Sequence, residues 1–218
     1  MSLKLYFHPL SSFCQKVLVA LYENDTPFEP HIVNLFDEAS SAAFKKIWPI
    51  GKFPVLRDEG RDRIIPESSI IIEYLQQHYP GKTRFVPADA ELARQMRFQD
   101  RFYDLHLNVP MQKAVTDRLR PAGKNDSYGV EQAKSQLRIA IGMVDRSMAA
   151  KIWALGDDFT MADCAAAPAL FFANKVMPFG GAYPNAAAYL IRLMQRPSFA
   201  RAVKEAEPYL TLVPKETA

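Results

Sequence analysis

The chain has 218 residues, 49% of them hydrophobic and 23% charged, with a formal net charge of +3. That length gives one or two domains with a real core, and the composition excludes a disordered chain, a collagen-like repeat and a disulfide-stapled miniprotein. Charges of both signs are interspersed and no apolar stretch nears about 18 residues, so neither nucleic acid nor a membrane is an expected partner.

Leu3 to Phe7 alternates as a strand does, and the start of the chain has no charged segment leading into an apolar run, so it does not read as a signal peptide. His8-Pro9-Leu10 breaks the strand, and Ser11 or Ser12 opens a helix to about Glu23. Phe28 to Val33 is a second strand, placed at a sheet edge by Pro30, which has no N–H for a ladder. Strands joined by a helix pair in parallel. Phe36 to Ile47 is a loose helix, residues 55–57 and 63–65 form a hairpin, and Ser68 to Tyr79 is helical. Residues 81–89 form a linker, and everything after it is helical. A long helix spans Ala90 to about Leu119, with a kink or break at Pro110. An amphipathic helix runs from Val130 to Met148, followed by helices over 161–175, 185–195 and 198–206. The expected fold is an α/β domain of order β-α-β-α-β-β-α over residues 1–80, then an all-α domain over 90–218.

Four motifs carry chemistry or its structural substitute. Ser11-Ser12-Phe13-Cys14-Gln15-Lys16 lies where a strand ends and a helix begins. A helix N-terminus favours anions and lowers thiol pKa values, and a hydroxyl there can donate to a thiolate. Read alone, the two serines are caps. In Lys52-Phe53-Pro54-Val55, a cis proline would turn the Phe53 backbone toward a pocket, where it could pair with an extended peptide; a trans proline would simply open a strand. Pro66-Glu67-Ser68-Ser69 opens a helix with groups that suit an amino-acid head group, although Ser68 alone would serve as a cap. Thr160-Met161-Ala162-Asp163 is a structural capping box, with Asp in the usual place of Glu.

Other chemistry is poorly supported. His8, His31, His78 and His106 have no metal-ligand spacing with either cysteine, so no metal is expected. Two cysteines so far apart, Cys14 and Cys164, argue against a structural disulfide and for a reducing, cytoplasmic setting.

Together and in this order, the segments Ser11–Val17, Lys52–Val55, Pro66–Leu75 and Phe159–Asp163 resemble the soluble glutathione transferases across essentially the whole chain. The pattern is bacterial-like and of the serine type, similar to the theta, zeta and tau classes. The resemblance implies a thioredoxin-like first domain that holds glutathione, and an all-α second domain that supplies the pocket for a small hydrophobic electrophile. Matching to Val17 gives Ser11 the role of stabilising the glutathione thiolate, with Ser12 as the alternative one residue on. It gives Phe53 the backbone pairing to the glutathione cysteine, Pro54 the cis peptide, Glu67 and Ser68 the γ-glutamyl end, and Lys52 the glycine carboxylate. Leu10, Tyr103, His106, Phe172 and Phe179 are expected to face the electrophile, and the protein is expected to be a homodimer. Cys14 takes the resolving position of a glutaredoxin-like pair whose nucleophile is serine, and alone reads as a small buried helix residue. Two other readings stay open: a glutathione-dependent isomerase of the maleylacetoacetate type, against which Phe13 stands where that pattern has Cys, and a noncatalytic binding or regulatory protein of the same fold.

Overall fold

The structure, a computed structural model, describes residues 3–212. The extreme ends of the two expected domains lie outside these residues. Strand β1 (Leu3–Phe7) buries Leu3, Leu5 and Phe7 and turns Lys4 and Tyr6, both half-buried, to the opposite face, as the alternation requires. Helix α1 (Ser12–Glu23) leads to β2 (Glu29–Ile32), which pairs with β1 in parallel. After α2 (Glu38–Ile47), β3 (Val55–Asp58) and β4 (Arg63–Pro66) form an antiparallel hairpin, and α3 (Ser68–His78) follows. The sheet order is β2-β1-β3-β4, with β1 and β3 antiparallel. Pro30 therefore sits on an edge strand, where its missing N–H breaks no ladder.

The second half contains no named strand among the described residues. Its first stretch, expected to kink or break at Pro110, is interrupted just before that proline. Helix α4 (Ala90–Phe102) passes into a π-helical turn (Tyr103–Asn108) and then α5 (Val109–Thr116). A proline inside a regular helix removes one hydrogen bond and clashes with the carbonyl four residues back. The widened turn lies directly before Pro110, so the chain stays helical through it.

Helix α6 (Ser127–Ser147) starts earlier than its apolar stripe, because the Asp126 carboxylate accepts from Gly129 N–H at 2.8 Å and caps it. Helix α7 (Met161–Val176) opens on the expected capping box. Helices α8 (Pro184–Gln195) and α9 (Pro197–Ala206) each begin on a proline, one residue before the expected starts, since proline suits the first helical turn.

Helix α1 packs against α3, α7 and α9 and is buried nearly all round. One apolar cluster runs from Leu5 and Val17 to Leu137 and Met161, so a continuous core joins the two halves.

Candidate active site at the end of the sheet

Sheet register brings three of the sequence motifs together. Tyr6 pairs with Val55 on β3, and Val55 pairs with Pro66 on β4. The residues just beyond that row are His8 to Ser11 after β1, Phe53-Pro54 before β3, and Glu67-Ser68 after β4. All three therefore emerge at one end of the sheet, although more than 50 residues of chain separate the first motif from the last. The stacked rings of His8 and Phe53, 6.2 Å between centroids, mark the meeting point.

At the start of α1, Ser11 is the N-cap: its Oγ accepts from Cys14 N–H at 3.3 Å, while its own N–H donates to His8 O at 3.0 Å. Ser11 is half-buried. Ser12 is buried and accepts from Gln112 Nε2 at 3.4 Å, so its hydroxyl faces the helical half. His8 was missed as anything but a weak metal candidate. Its Nδ1 accepts from Leu10 N–H at 3.2 Å and so shapes the loop before Ser11, and burial holds its pKa below the ordinary imidazole value. The sequence signal that could have found it is its position directly after the first strand.

The Phe53–Pro54 bond is cis. Ladder pairing begins at Val55, so the Phe53 backbone stands outside the sheet register. Glu67 has φ +70° and is exposed, and its side chain does not cap α3. Side chains other than glycine adopt that backbone region sparingly, and such residues cluster at ligand clamps. Ser68, directly after it, is 5% exposed. Lys52 is exposed at the rim of this cluster.

Residues 5–83 match the N-terminal domain model of glutathione S-transferases, and residues 127–192 match the C-terminal domain model. Glutathione S-transferase 3 of Zea mays is 30% identical over 208 residues, covering 92% of this chain and 93% of its own. The chain belongs to the glutathione S-transferase family. A stringent starvation protein A homolog of Haemophilus ducreyi is 29% identical, covering 94% of this chain and 91% of its own. Among solved structures, a glutathione S-transferase of Methylobacillus flagellatus KT with glutathione bound is 25% identical. It superposes with a TM-score of 0.84 over 92% of this chain and 98% of its own.

In this glutathione transferase, burial pushes the Cys14 thiol up to about 12, against the pull of the Ser11 hydroxyl and the His8 backbone. Cys14 is 0% exposed and packs into the core as part of α1. The residues expected to face an electrophile differ widely in exposure. Tyr103 and Phe179 are 2% and 1% exposed, inside the core, and are corrected to packing positions. Both rings pack within the helical half: Tyr103 lies edge-on to Phe102, and Phe179 edge-on to Tyr183. Phe172 is largely buried beside Phe171, Leu10 is half-buried, and His106 is exposed. Helical spacing alone did not tell which face of the second half turns inward. An open groove of about 710 Å³ lies along the outer face of α3, lined by Ile70, Glu73, Tyr74 and Arg84 among others, and none of Ser11, Lys52, Phe53, Glu67 and Ser68 lines it. Among the described residues no group of three or more His, Cys, Asp or Glu is placed to hold a metal ion, and no helix is long and apolar enough to cross a membrane.

Proposed function

We propose that the protein conjugates the glutathione thiolate to small hydrophobic electrophiles. Residues 1–80 form the glutathione-binding domain, 81–89 the linker and 90–218 the domain that receives the electrophile. Glutathione is the co-substrate and lies across the end of the sheet. The Phe53 backbone beside cis-Pro54 pairs with its peptide, Glu67 and Ser68 hold the γ-glutamyl end, and Lys52 meets the glycine carboxylate. The sulfur then comes to the N-terminus of α1, where the Ser11 hydroxyl donates to the thiolate and the helix field favours the anion. The thiolate forms a carbon–sulfur bond, and the displaced group leaves with its electron pair. The protein supplies positioning and thiolate stabilisation. Ser11 is favoured over Ser12 because it is half-buried at the cap, whereas Ser12 is engaged by Gln112. We further propose a cytoplasmic homodimer, consistent with two free buried cysteines.

One observation carries this reading: the in-register row Tyr6–Val55–Pro66, which delivers Ser11, Phe53 and Glu67 to one end of the sheet. Calorimetric titration with glutathione, beside turnover of an activated aryl halide, tests it. Heat and turnover together support the transferase, and a protein with neither refutes it. A noncatalytic binding protein of the same fold is the second reading, favoured by the similarity to a stringent starvation protein A homolog, whose name describes no transferase. Absent turnover alongside intact folding would select it.

A further inference from the structure

We propose that Lys16 is a positioning residue for the glutathione site, holding the start of α3 and the helical half in fixed relation to the start of α1. The proposal rests on the glutathione reading above.

Lys16 lies one turn into α1, in the run Gln15-Lys16-Val17-Leu18-Val19, and its side chain is 0% exposed. A lysine so buried is rare unless paired, because desolvating an ammonium is expensive. Here Nζ donates to Ser69 Oγ at 2.8 Å and to Asp104 Oδ2 at 2.9 Å, and stands 2.6 Å from Asp100 Oδ1. Ser69 in turn donates to Asp100 Oδ2 at 2.6 Å, and Arg101 reaches Asp104 at 3.3 Å. Two cations thus face two carboxylates.

Lys16 and its three contacts join three parts of the site. Lys16 belongs to the helix that Ser11 caps. Ser69 follows Glu67 and Ser68 at the start of α3. Asp100 and Asp104 lie on α4 and the π-helical turn, in the half that receives the electrophile. Helix α3 has no side-chain cap of its own, and Glu67 before it is held at φ +70°. What anchors this helix start is Ser69, gripped between Lys16 and Asp100. An apolar side chain could fill the same space and hold the helices as firmly, since buried ion pairs add little stability over well-packed hydrophobes. Packing alone would not fix the direction of Ser69 Oγ, and through it the turn that presents Glu67 and Ser68.

The test compares wild type, Ser69→Ala and Lys16→Met by thermal unfolding, glutathione calorimetry and steady-state kinetics. Ser69→Ala removes one hydroxyl and leaves both carboxylates facing Lys16. It should fold cooperatively, raise Kd and KM for glutathione roughly 10-fold, and keep kcat at saturating glutathione within about 3-fold, the loss expected of one hydrogen bond to a charged partner. Lys16→Met should raise KM at least as far; where it does not fold, Ser69→Ala decides. A lowered melting temperature with Kd and KM unchanged in folded variants would make the cluster purely structural and overturn the proposal. No glutathione heat from wild type would instead overturn the glutathione reading, and the proposal with it.

Discussion

Arg196 grips Glu23 at both ends: Nε stands 2.8 Å from Oε1 and Nη2 stands 2.6 Å from Oε2, joining the end of α1 to the start of α9. Ser198 also donates to Glu23, and the Arg196 guanidinium lies 4.0 Å from the centroid of Phe159. Removing the carboxylate with Glu23→Ala strands a cation that is 27% exposed. The expected loss is about 2–3 kcal/mol, less than for a wholly buried pair. Urea unfolding at neutral pH measures it, and a loss near zero would show that the pair is idle.

The same pair makes stability depend on pH in a defined direction. Burial pushes the Glu23 carboxyl up, but the hydrogen bonds from Arg196 and Ser198 together outweigh it, so its pKa lies below 4.5. A depressed carboxylate stabilises the fold above its ordinary pKa and loses that contribution as pH falls through the folded value. The stability gap between wild type and Glu23→Gln should therefore be constant near neutrality and narrow below about pH 4.5. A gap that widens in acid would reverse the assignment.

Ser11 and Ser12 separate by their surroundings. Ser11→Ala should raise the thiol pKa of bound glutathione and lower turnover roughly 10–1,000-fold, by analogy with removal of one preorganised donor. Affinity should change much less, because Phe53, Glu67 and Ser68 are untouched. Ultraviolet absorbance of the thiolate against pH, for Ser11→Ala and Ser12→Ala, checks the assignment. A shift in Ser12→Ala alone would move the role by one residue.

How far the sequence revealed all this differs by element. The α/β half was legible almost throughout, because alternation in Leu3–Phe7, the missing N–H of Pro30 and the capping serines are local signals. The candidate glutathione cluster was legible as three motifs, each ambiguous alone, and their convergence depends on strand register, which no single motif encodes. The second pocket was poorly legible. Tyr103 and Phe179 have the right chemistry for it but are buried, and only the three-dimensional packing of α4 to α7 decides which aromatic turns inward. Lys16 stands in the first motif with no local sign of its role, because its partners Asp100 and Asp104 are far along the chain.

The expected homodimer has a candidate surface. Ile70 on α3 and Phe98 on α4 are 54% and 59% exposed, and Arg97 pairs with Glu73 between the same two helices. Homo-oligomers favour two-fold closure, in which one patch meets its own copy. Light scattering should give twice the mass of the chain, and Phe98→Asp should give the monomer with its circular dichroism unchanged. A monomeric wild type at micromolar concentration would dispose of the dimer.

The capping box at α7 gives the largest single stability effect expected. Asp163 is 0% exposed, and its carboxylate accepts from Ala154 N–H at 2.8 Å, Thr160 N–H at 2.8 Å and Tyr189 O–H at 2.6 Å. In Asp163→Ala those three donors lose their partner inside the core, at a cost of about 3–5 kcal/mol. Asp163→Asn keeps the shape but puts an amide N–H against donors, so it should recover only part of the loss. Burial pushes the Asp163 carboxyl above 3.8, against the pull of those hydrogen bonds. A raised folded pKa contributes stability that is full below the ordinary value and fades as pH rises through the folded one. The variants should therefore differ from wild type more at acid pH than near neutrality, the reverse of the Glu23 pattern. Urea unfolding across the acid range measures both effects. A cost for Asp163→Ala below about 1 kcal/mol would mean the three donors find other partners, and the box would not be what holds the start of α7.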